Sequence, residues 1–141
     1  MIAKRSKLKL LTTDILDSKI KFYPSALKGV EVMQKMLDSP IEIDFDVKVN
    51  EDGLYYIFVK IEINNDKSTK FGYSIFVNCA SVFDFEDDVT EEEKNDLISS
   101  GVNITITNLR GYIHTVTSYY PLGPFNFHSI DMQALFAAKA E

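Results

Sequence analysis

Cysteine and long hydrophobic runs are what this sequence has least of. Its 141 residues include one cysteine, Cys79, so no disulfide can form within the chain. A lone cysteine fits a reducing compartment. No stretch approaches the roughly 18 consecutive apolar residues of a membrane-spanning helix. The apolar residues at positions 8–11 are too few for the core of a secretory signal. We therefore expect a cytoplasmic protein without membrane insertion.

Positive charge is also scarce. The net charge is −6, the isoelectric point is about 4.9, and the basic residues cluster only at Lys4, Arg5, Lys7 and Lys9. Binding to nucleic acid generally needs a basic surface that displaces counterions from phosphates, so no nucleic-acid partner is expected. The basic terminus is interpreted as a solvated tail, with a nucleic-acid-binding arm as the alternative.

Patterns that carry catalysis or bind metals are missing too. The chain has no Gly-x-Ser-x-Gly motif and no phosphate-binding glycine loop. His114 and His128 lie in unrelated contexts, without the spacing of metal ligands. The acidic run at 84–93 lacks the calcium-binding EF-hand spacing, so a solvated loop and helix start are expected there. We expect a protein that is not an enzyme and that uses no cofactor or metal.

Apolar residues, at 45% of the chain, suffice for the core of a single domain spanning residues 1–141. Residues 8–23 predict either one extended strand, interrupted near 14–18 by a bulge, or two strands. The connection at 25–39 has helical spacing in part. Strict alternation at 41–49 predicts a half-buried strand, followed by a turn at 50–53. Further strands at 54–63 and 71–85, with a turn at 64–68, complete an antiparallel meander.

The pattern changes after residue 85. Thr90 and Glu93 form a capping box that begins a short helix at residue 91, which Gly101 is expected to end. Residues 102–120 contain β-branched side chains that favour a strand. Their apolar positions nevertheless recur every three or four residues, which predicts a helix. A loop at 121–124 and a final helix at 130–140 follow. The fold class is therefore α+β.

Several short stretches along the chain have distinctive sequences: Lys19-Ile20-Lys21-Phe22-Tyr23-Pro24, Gly53-Leu54-Tyr55-Tyr56-Ile57-Phe58-Val59, Ser81-Val82-Phe83-Asp84-Phe85, Asn103-Ile104 with Leu109-Arg110 and Ile113, Pro121-Leu122, and Ile130-Asp131-Met132-Gln133-Ala134-Leu135-Phe136. With the order of the elements, they resemble the SecB family of bacterial protein-export chaperones over residues 8–138. The resemblance implies an ATP-independent holdase that binds unfolded client polypeptides in apolar grooves. It also implies a homotetramer, built as a dimer of dimers.

The resemblance assigns roles to particular residues. The groove that it implies would be lined by Phe22, Leu27, Val30, Met33, Leu37, Tyr112, Met132, Leu135 and Phe136. Methionines suit such a site because their side chains adapt to varied shapes. The oligomer interface is expected at Phe76, Ile106, Leu109, Ile113 and Val116. Phe76, with Tyr56 and Phe58, would otherwise leave an exposed apolar sheet face, which is uncommon on soluble monomers.

The chain departs from the family pattern where a partner would bind. SecB proteins bind the export motor SecA through acidic residues, and this chain has Lys19 and Phe76 at two of the aligned positions. The family usually has Asn-Phe where this chain has Asp131-Met132. Protein export with SecA therefore stands beside an alternative role, that of a specialised SecB-like chaperone for a toxin–antitoxin system or another dedicated partner.

Overall fold

A computed structural model of the chain describes residues 1–65 and 71–141. The elements follow one another as β1 (Leu8–Tyr23), α1 (Gly29–Leu37), β2 (Ile41–Val49), β3 (Tyr55–Ile63), β4 (Gly72–Phe85), α2 (Glu91–Thr117) and α3 (Met132–Ala140). The predicted turn at 64–68 lies partly outside the described residues. The predicted α+β class, with four strands, a long helix and a C-terminal helix, is confirmed.

The four strands form one antiparallel sheet in the order β1-β4-β3-β2. The hairpin between β2 and β3 turns at Gly53, whose φ of 79° only glycine adopts readily. The connection that carries α1 crosses the sheet, because β1 pairs with β4 rather than with its chain neighbour β2. Both outer strands, β1 and β2, are consequently sheet edges.

The long strand β1 is irregular at two places, of which only the second lies within the predicted bulge at 14–18. Its register against β4 shifts between Leu10 and Thr12 and again between Ile15 and Asp17. Each shift inserts one residue that opposes nothing on β4, which bends the strand and increases its twist. The segment from Thr12 to Ile15 pairs regularly between them.

Alternation along the central strands divides the sheet into two faces. The inner face carries the buried side chains of the core, including Ile57, Val59, Val77, Cys79 and Phe83. The opposite face, called here the open face, carries the half-buried side chains of Tyr56, Phe58, Phe76 and Val82. Tyr56, Phe58 and Phe76 thus share one face of the sheet, as the sequence predicts, and they are half-buried there.

The helix α2 is continuous from Glu91 to Thr117, so the prediction that Gly101 ends a first helix is wrong. Gly101 is instead buried at the place where α2 comes closest to the sheet. A β-carbon built on it would lie 2.7 Å from Cδ1 of Ile57 and 3.5 Å from Leu8 and Phe83. The glycine is there because the packing leaves no room for a side chain. The predicted helix start is confirmed, since Thr90 accepts a hydrogen bond from the amide of Glu93.

The apolar stripe of α2 packs on the sheet of its own chain. Ile106, Leu109 and Ile113 are fully buried there, so these three residues offer no surface to a second copy and must be removed from the expected oligomer interface. Their burial follows from the 3.6-residue period, which turns the whole stripe towards one neighbour. Phe76 and Val116 remain half-buried, and their place in an interface stays a prediction.

The last helix begins later than predicted. α3 starts at Met132, because Asp131 accepts a hydrogen bond from the amide of Ala134 and so caps the helix. Ile130 therefore belongs to the preceding loop, in which Phe125 and Phe127 are buried. This loop carries apolar side chains back into the core after α2 ends.

Candidate functional site

Helix α1 sits on the end of β4. Val32 and Met36 are buried, and a β-carbon at Gly72 would lie about 2.9–3.0 Å from both side chains. Gly72 also has a φ of 62°, so any other residue there would be strained and would push α1 outwards. The packing of α1 against β4 therefore depends on the absence of a side chain at Gly72.

The other side of α1 leaves apolar side chains in contact with solvent. Val30 is 84% exposed, and Leu27 and Leu37 are exposed as well. Met33 is partly buried and packs against the core. These exposed aliphatic side chains make this side of α1 a candidate surface for contact with apolar groups.

A hydrogen-bonded junction anchors the loop after α2 beside α1. The hydroxyl of Tyr73 accepts from the amide of Leu122 and donates to the carbonyl of Gly123, both at 2.8 Å. The hydroxyl of Tyr120 donates to the carbonyl of Ile20 at 3.1 Å. Phe22 packs edge-on against Tyr73, with ring centres 6.1 Å apart. Phe22 is thus held within a rigid aromatic cluster at the end of β1.

The inner face of β2 forms an incompletely covered apolar floor. The inner side chains of the adjacent strand β3 are fully buried, whereas those of β2 are only half-buried. These side chains of β2 are Ile41, Ile43, Phe45 and Val47. The first and third of these are about 13 Å apart, given the rise of roughly 3.3 Å per residue in a strand. The floor is therefore long enough for several residues of an extended peptide.

Helix α3 lies over one part of this floor. Phe136 packs edge-on against Phe45, with ring centres 5.4 Å apart. A depression of about 370 Å³ between the helix and β2 is lined by Ile43, Phe45 and Leu135, among others. No residue of α3 is fully buried. The helix is consequently the most loosely packed described element that touches the floor.

One ion pair reinforces the attachment of α3. Nζ of Lys139 lies 2.8 Å from Oδ1 of Asp44 on the edge strand β2. This hydrogen bond, with the nearby positive charge and the amide of Phe45, holds the pKa of the Asp44 carboxyl below its usual value. Both side chains are largely exposed, so solvent screening keeps the contribution small.

The predicted groove residues fall into two groups that the structure does not gather into one pocket. Val30, Met33 and Leu37 belong to α1 and Leu27 lies just before it, whereas Met132, Leu135 and Phe136 belong to α3 over β2. Tyr112 packs against the core from α2. Ile41, Ile43 and Phe45 join the site, although the sequence predicts only that they lie on the apolar face of a half-buried strand. The strict alternation of β2 was the available signal, since it indicates a strand with one apolar and one solvated face.

A second depression, larger than the one beside α3, has a different character. It occupies about 630 Å³ beside the end of α1, and charged or amide side chains dominate its lining: Lys35, Asp38, Glu42, Glu62, Asn64 and Asn65. Such a surface offers little to an apolar ligand. The apolar floor, although shallower, is the better candidate.

The structure adds little that resembles a reactive centre. Burial raises the pKa of the Cys79 thiol to about 11. Within the described ranges, no group of three or more His, Cys, Asp or Glu side chains is arranged to hold a metal ion. No helix among those residues is both long and apolar enough to cross a membrane.

Comparison with solved structures identifies the fold. The SecB-like chaperone Rv1957 of Mycobacterium tuberculosis, solved in complex with a ChAD peptide from the Rv1956 HigA1 antitoxin, superposes with a TM-score of 0.58. The match covers 89% of this chain and 88% of that chain, at 16% sequence identity. The chain has a SecB-like fold. At this identity the likeness establishes the architecture and leaves the function to be argued from the surface.

Other comparisons contribute less. A protein of unknown function from Streptococcus agalactiae matches with a TM-score of 0.48 and 8% identity, over 87% of this chain and 97% of that chain. No protein-family model matches the sequence, and a search of curated proteins finds no match. The SecB-like fold is therefore recognised here by the arrangement of its sheet and helices.

Proposed function

We propose that the protein is an ATP-independent chaperone that binds extended, apolar segments of non-native polypeptides. The observation that carries this proposal is the apolar floor of β2, whose side chains are only half-buried. The loosely packed helix α3 covers part of this floor, and α1 presents exposed aliphatic side chains at the end of the sheet. Non-directional apolar contact suits varied clients, and no covalent step is involved. This is a binding protein in our proposal and not an enzyme.

A dedicated polypeptide partner is the second candidate. The neighbouring SecB-like structure was solved with a peptide from an antitoxin, which favours a toxin–antitoxin role for chains of this architecture. A role in export with SecA is less favoured, because Lys19 and Phe76 lie side by side in the register on β1 and β4 and form a cation–π contact of 5.9 Å on the open face. At these two positions, where the SecB family has acidic residues, this chain presents a basic and an apolar side chain.

The proposal also includes a cellular compartment, the cytoplasm, and an oligomeric state, the homotetramer. The single buried cysteine suits the cytoplasm, where thiols stay reduced. The resemblance to SecB implies a homotetramer arranged as a dimer of dimers. The half-buried open face gives that assembly a physical reason, because Tyr56, Phe58 and Phe76 present apolar area to solvent in a single chain.

An aggregation assay with matched variants tests the proposal. The protein should suppress aggregation of a chemically unfolded model client at near-stoichiometric ratio without nucleotide. Val30→Ser on α1 should weaken protection several-fold, because it removes an exposed apolar contact at 84% accessibility. Ile2→Ser is the control, since this exposed aliphatic side chain precedes β1, outside both α1 and the apolar floor, and its loss should leave protection unchanged.

The outcome separates the two candidates. Protection of several unrelated clients supports the general holdase. Failure to protect any of them, combined with a stoichiometric complex with one antitoxin-like peptide, would support the dedicated partner instead. Absence of both activities at several-fold excess would contradict the proposal.

A further inference from the structure

The outer edge of β2 belongs to a segment that other extended chains would readily join. Residues 41–49 alternate between apolar and charged side chains, and most of the inner side chains are only half-buried. The strand is paired on one side alone, with β3. An edge strand of this kind offers a row of amides and carbonyls as a template for pairing. What these amides contact therefore decides whether a fifth strand can be added.

The hairpin between β2 and β3 fixes which amides face outwards. The amide of Asn50 donates to the carbonyl of Leu54, which directs it towards the β3 side. Successive amides alternate between the two sides of a strand, so those of Val47, Phe45 and Ile43 point away from β3. These three amides are the central donors that an added strand would need.

Aspartate side chains engage two of these three amides. Oδ1 of Asp44 accepts from the amide of Phe45, and Oδ1 of Asp46 accepts from the amide of Val47, both at 3.0 Å. Each of these contacts is called here an aspartate cap. The carboxylate oxygen of a cap lies where the carbonyl oxygen of an added strand would have to be placed. Its negative charge also repels that carbonyl oxygen, which is the negative end of a dipole.

The same arrangement recurs at the end of β4. Oδ1 of Asp84 accepts from the amide of Phe85 at 2.8 Å. The next amide, that of Glu86, donates to the carbonyl of Lys7 on the β1 side, so the amide of Phe85 points to the other side. The pairing of β3 with β4 ends at Phe83, so no residue of β3 lies opposite Phe85. An aspartate thus precedes three strand amides that no neighbouring strand engages.

We propose that Asp44 and Asp46 close the edge of β2 to strand addition, so that a polypeptide contacts this side of the molecule through side chains and does not become a fifth strand. Helix α3 supports one of the two caps, since Nζ of Lys139 lies 2.8 Å from the same oxygen of Asp44. The inference concerns the edge alone and does not depend on the proposed function. Where the apolar floor holds an extended client, it implies that no backbone ladder slows the release of that client.

A peptide with the sequence of β3, the natural neighbour of β2, provides the probe. It comprises residues 55–63, and added terminal lysines keep it soluble. In the full-length wild-type protein, an excess of peptide should change amide exchange at Phe45 and Val47, measured by NMR, by less than about twofold. In the double variant Asp44→Ala with Asp46→Ala, it should slow both amides at least about tenfold, because two ladder hydrogen bonds become available. The added lysines favour the acidic wild-type edge, so charge alone predicts the opposite order.

Two control variants separate the caps from other causes. Asp44→Asn with Asp46→Asn removes both charges but keeps an oxygen that can accept from each amide, so it should behave as the wild type. Lys139→Gln removes the ion pair of α3 and leaves both caps, so it should do the same. Both aspartates are exposed, so every variant should keep the native circular dichroism spectrum. Unchanged amide exchange in the alanine variant would overturn the proposal. So would equal protection in the wild type, in the asparagine variant or in Lys139→Gln.

Discussion

Thr105 shows how single polar residues secure the long helix to the sheet. Its hydroxyl is fully buried and donates to the carbonyl of Gly101 at 2.8 Å, and it lies 3.0 Å from Oγ of Ser81. Ser81 in turn contacts Oγ1 of Thr13, which accepts from Asn108. Because buried hydroxyls are costly without partners, this chain of contacts fixes how α2 sits against β4 and β1.

Cys79 is a second residue whose behaviour follows from burial. Its thiol lies in the middle of β4 on the inner face, with no exposed surface. Removal from water disfavours the thiolate and raises the pKa from 9.0 to about 11, although a backbone contact with Val59 opposes the shift. The thiol therefore behaves as a small apolar side chain of the core.

We therefore expect Cys79 to be unreactive in the folded protein. At pH 8 the thiolate fraction should be about 100-fold lower than for an ordinary thiol, on the values of 9.0 and about 11. Alkylation followed by mass spectrometry should show reaction at least about 100-fold slower in buffer than in denaturant. A native rate within a few-fold of the denatured rate would contradict this assignment of burial.

At the scale of elements, α2 contains two glycines with opposite surroundings. Gly101 has Ile57 at 2.7 Å from the position of a β-carbon, whereas Gly111 has no atom within 4 Å. Alanine is favoured over glycine within a helix by about 1 kcal/mol. At position 111 nothing opposes this gain, while at position 101 overpacking of a full core costs about 1–3 kcal/mol.

These surroundings predict opposite effects of the same substitution. Gly111→Ala should raise the free energy of unfolding by about 0.5–1 kcal/mol. Gly101→Ala should lower it by about 1 kcal/mol, the net of helix propensity and overpacking. Urea denaturation followed by circular dichroism measures both changes.

Ile57→Val provides the control for the position-101 variant. It removes the Cδ1 atom that the new methyl group would strike. The double variant Gly101→Ala with Ile57→Val should be less destabilised than the two single changes added together. Strict additivity would show that the close approach of α2 to β3 does not set the effect.

Gly101 shows why sequence patterns predicted the individual strands and helices better than the packing between them. Alternation at 41–49 and the capping box at Thr90 act within a few residues, so both were predictable. Gly101 was misread as a helix end because its reason lies 44 positions away, at Ile57. The division of the site between α1 and α3 was likewise unpredictable, since it depends on how the crossover helix packs on β4 and how the C-terminal helix packs on β2.

For the whole molecule, the attachment of the C-terminal helix controls how much of the apolar floor is exposed. Lys139 and Asp44 are 95 positions apart, and their contact joins α3 to the edge strand. Asp44 has a lowered pKa in the folded state, chiefly through its hydrogen bond with Lys139. Such a carboxylate stabilises the fold fully above its unfolded value, near 3.8. Its contribution is lost as the pH falls through the lower folded pKa.

We expect removal of this contact to loosen α3 at neutral pH. Because both side chains are largely exposed, Asp44→Asn should cost only about 0.5 kcal/mol. This loss should raise amide hydrogen exchange in α3 about twofold, if those amides exchange through detachment of the helix. Asp46→Asn is the matched control: Asp46 caps the Val47 amide as Asp44 caps that of Phe45, yet no ion pair joins it to the described part of α3. Faster exchange in both variants would assign the effect to the strand edge, and unchanged exchange in Asp44→Asn would show that Phe136 on Phe45 holds the helix alone.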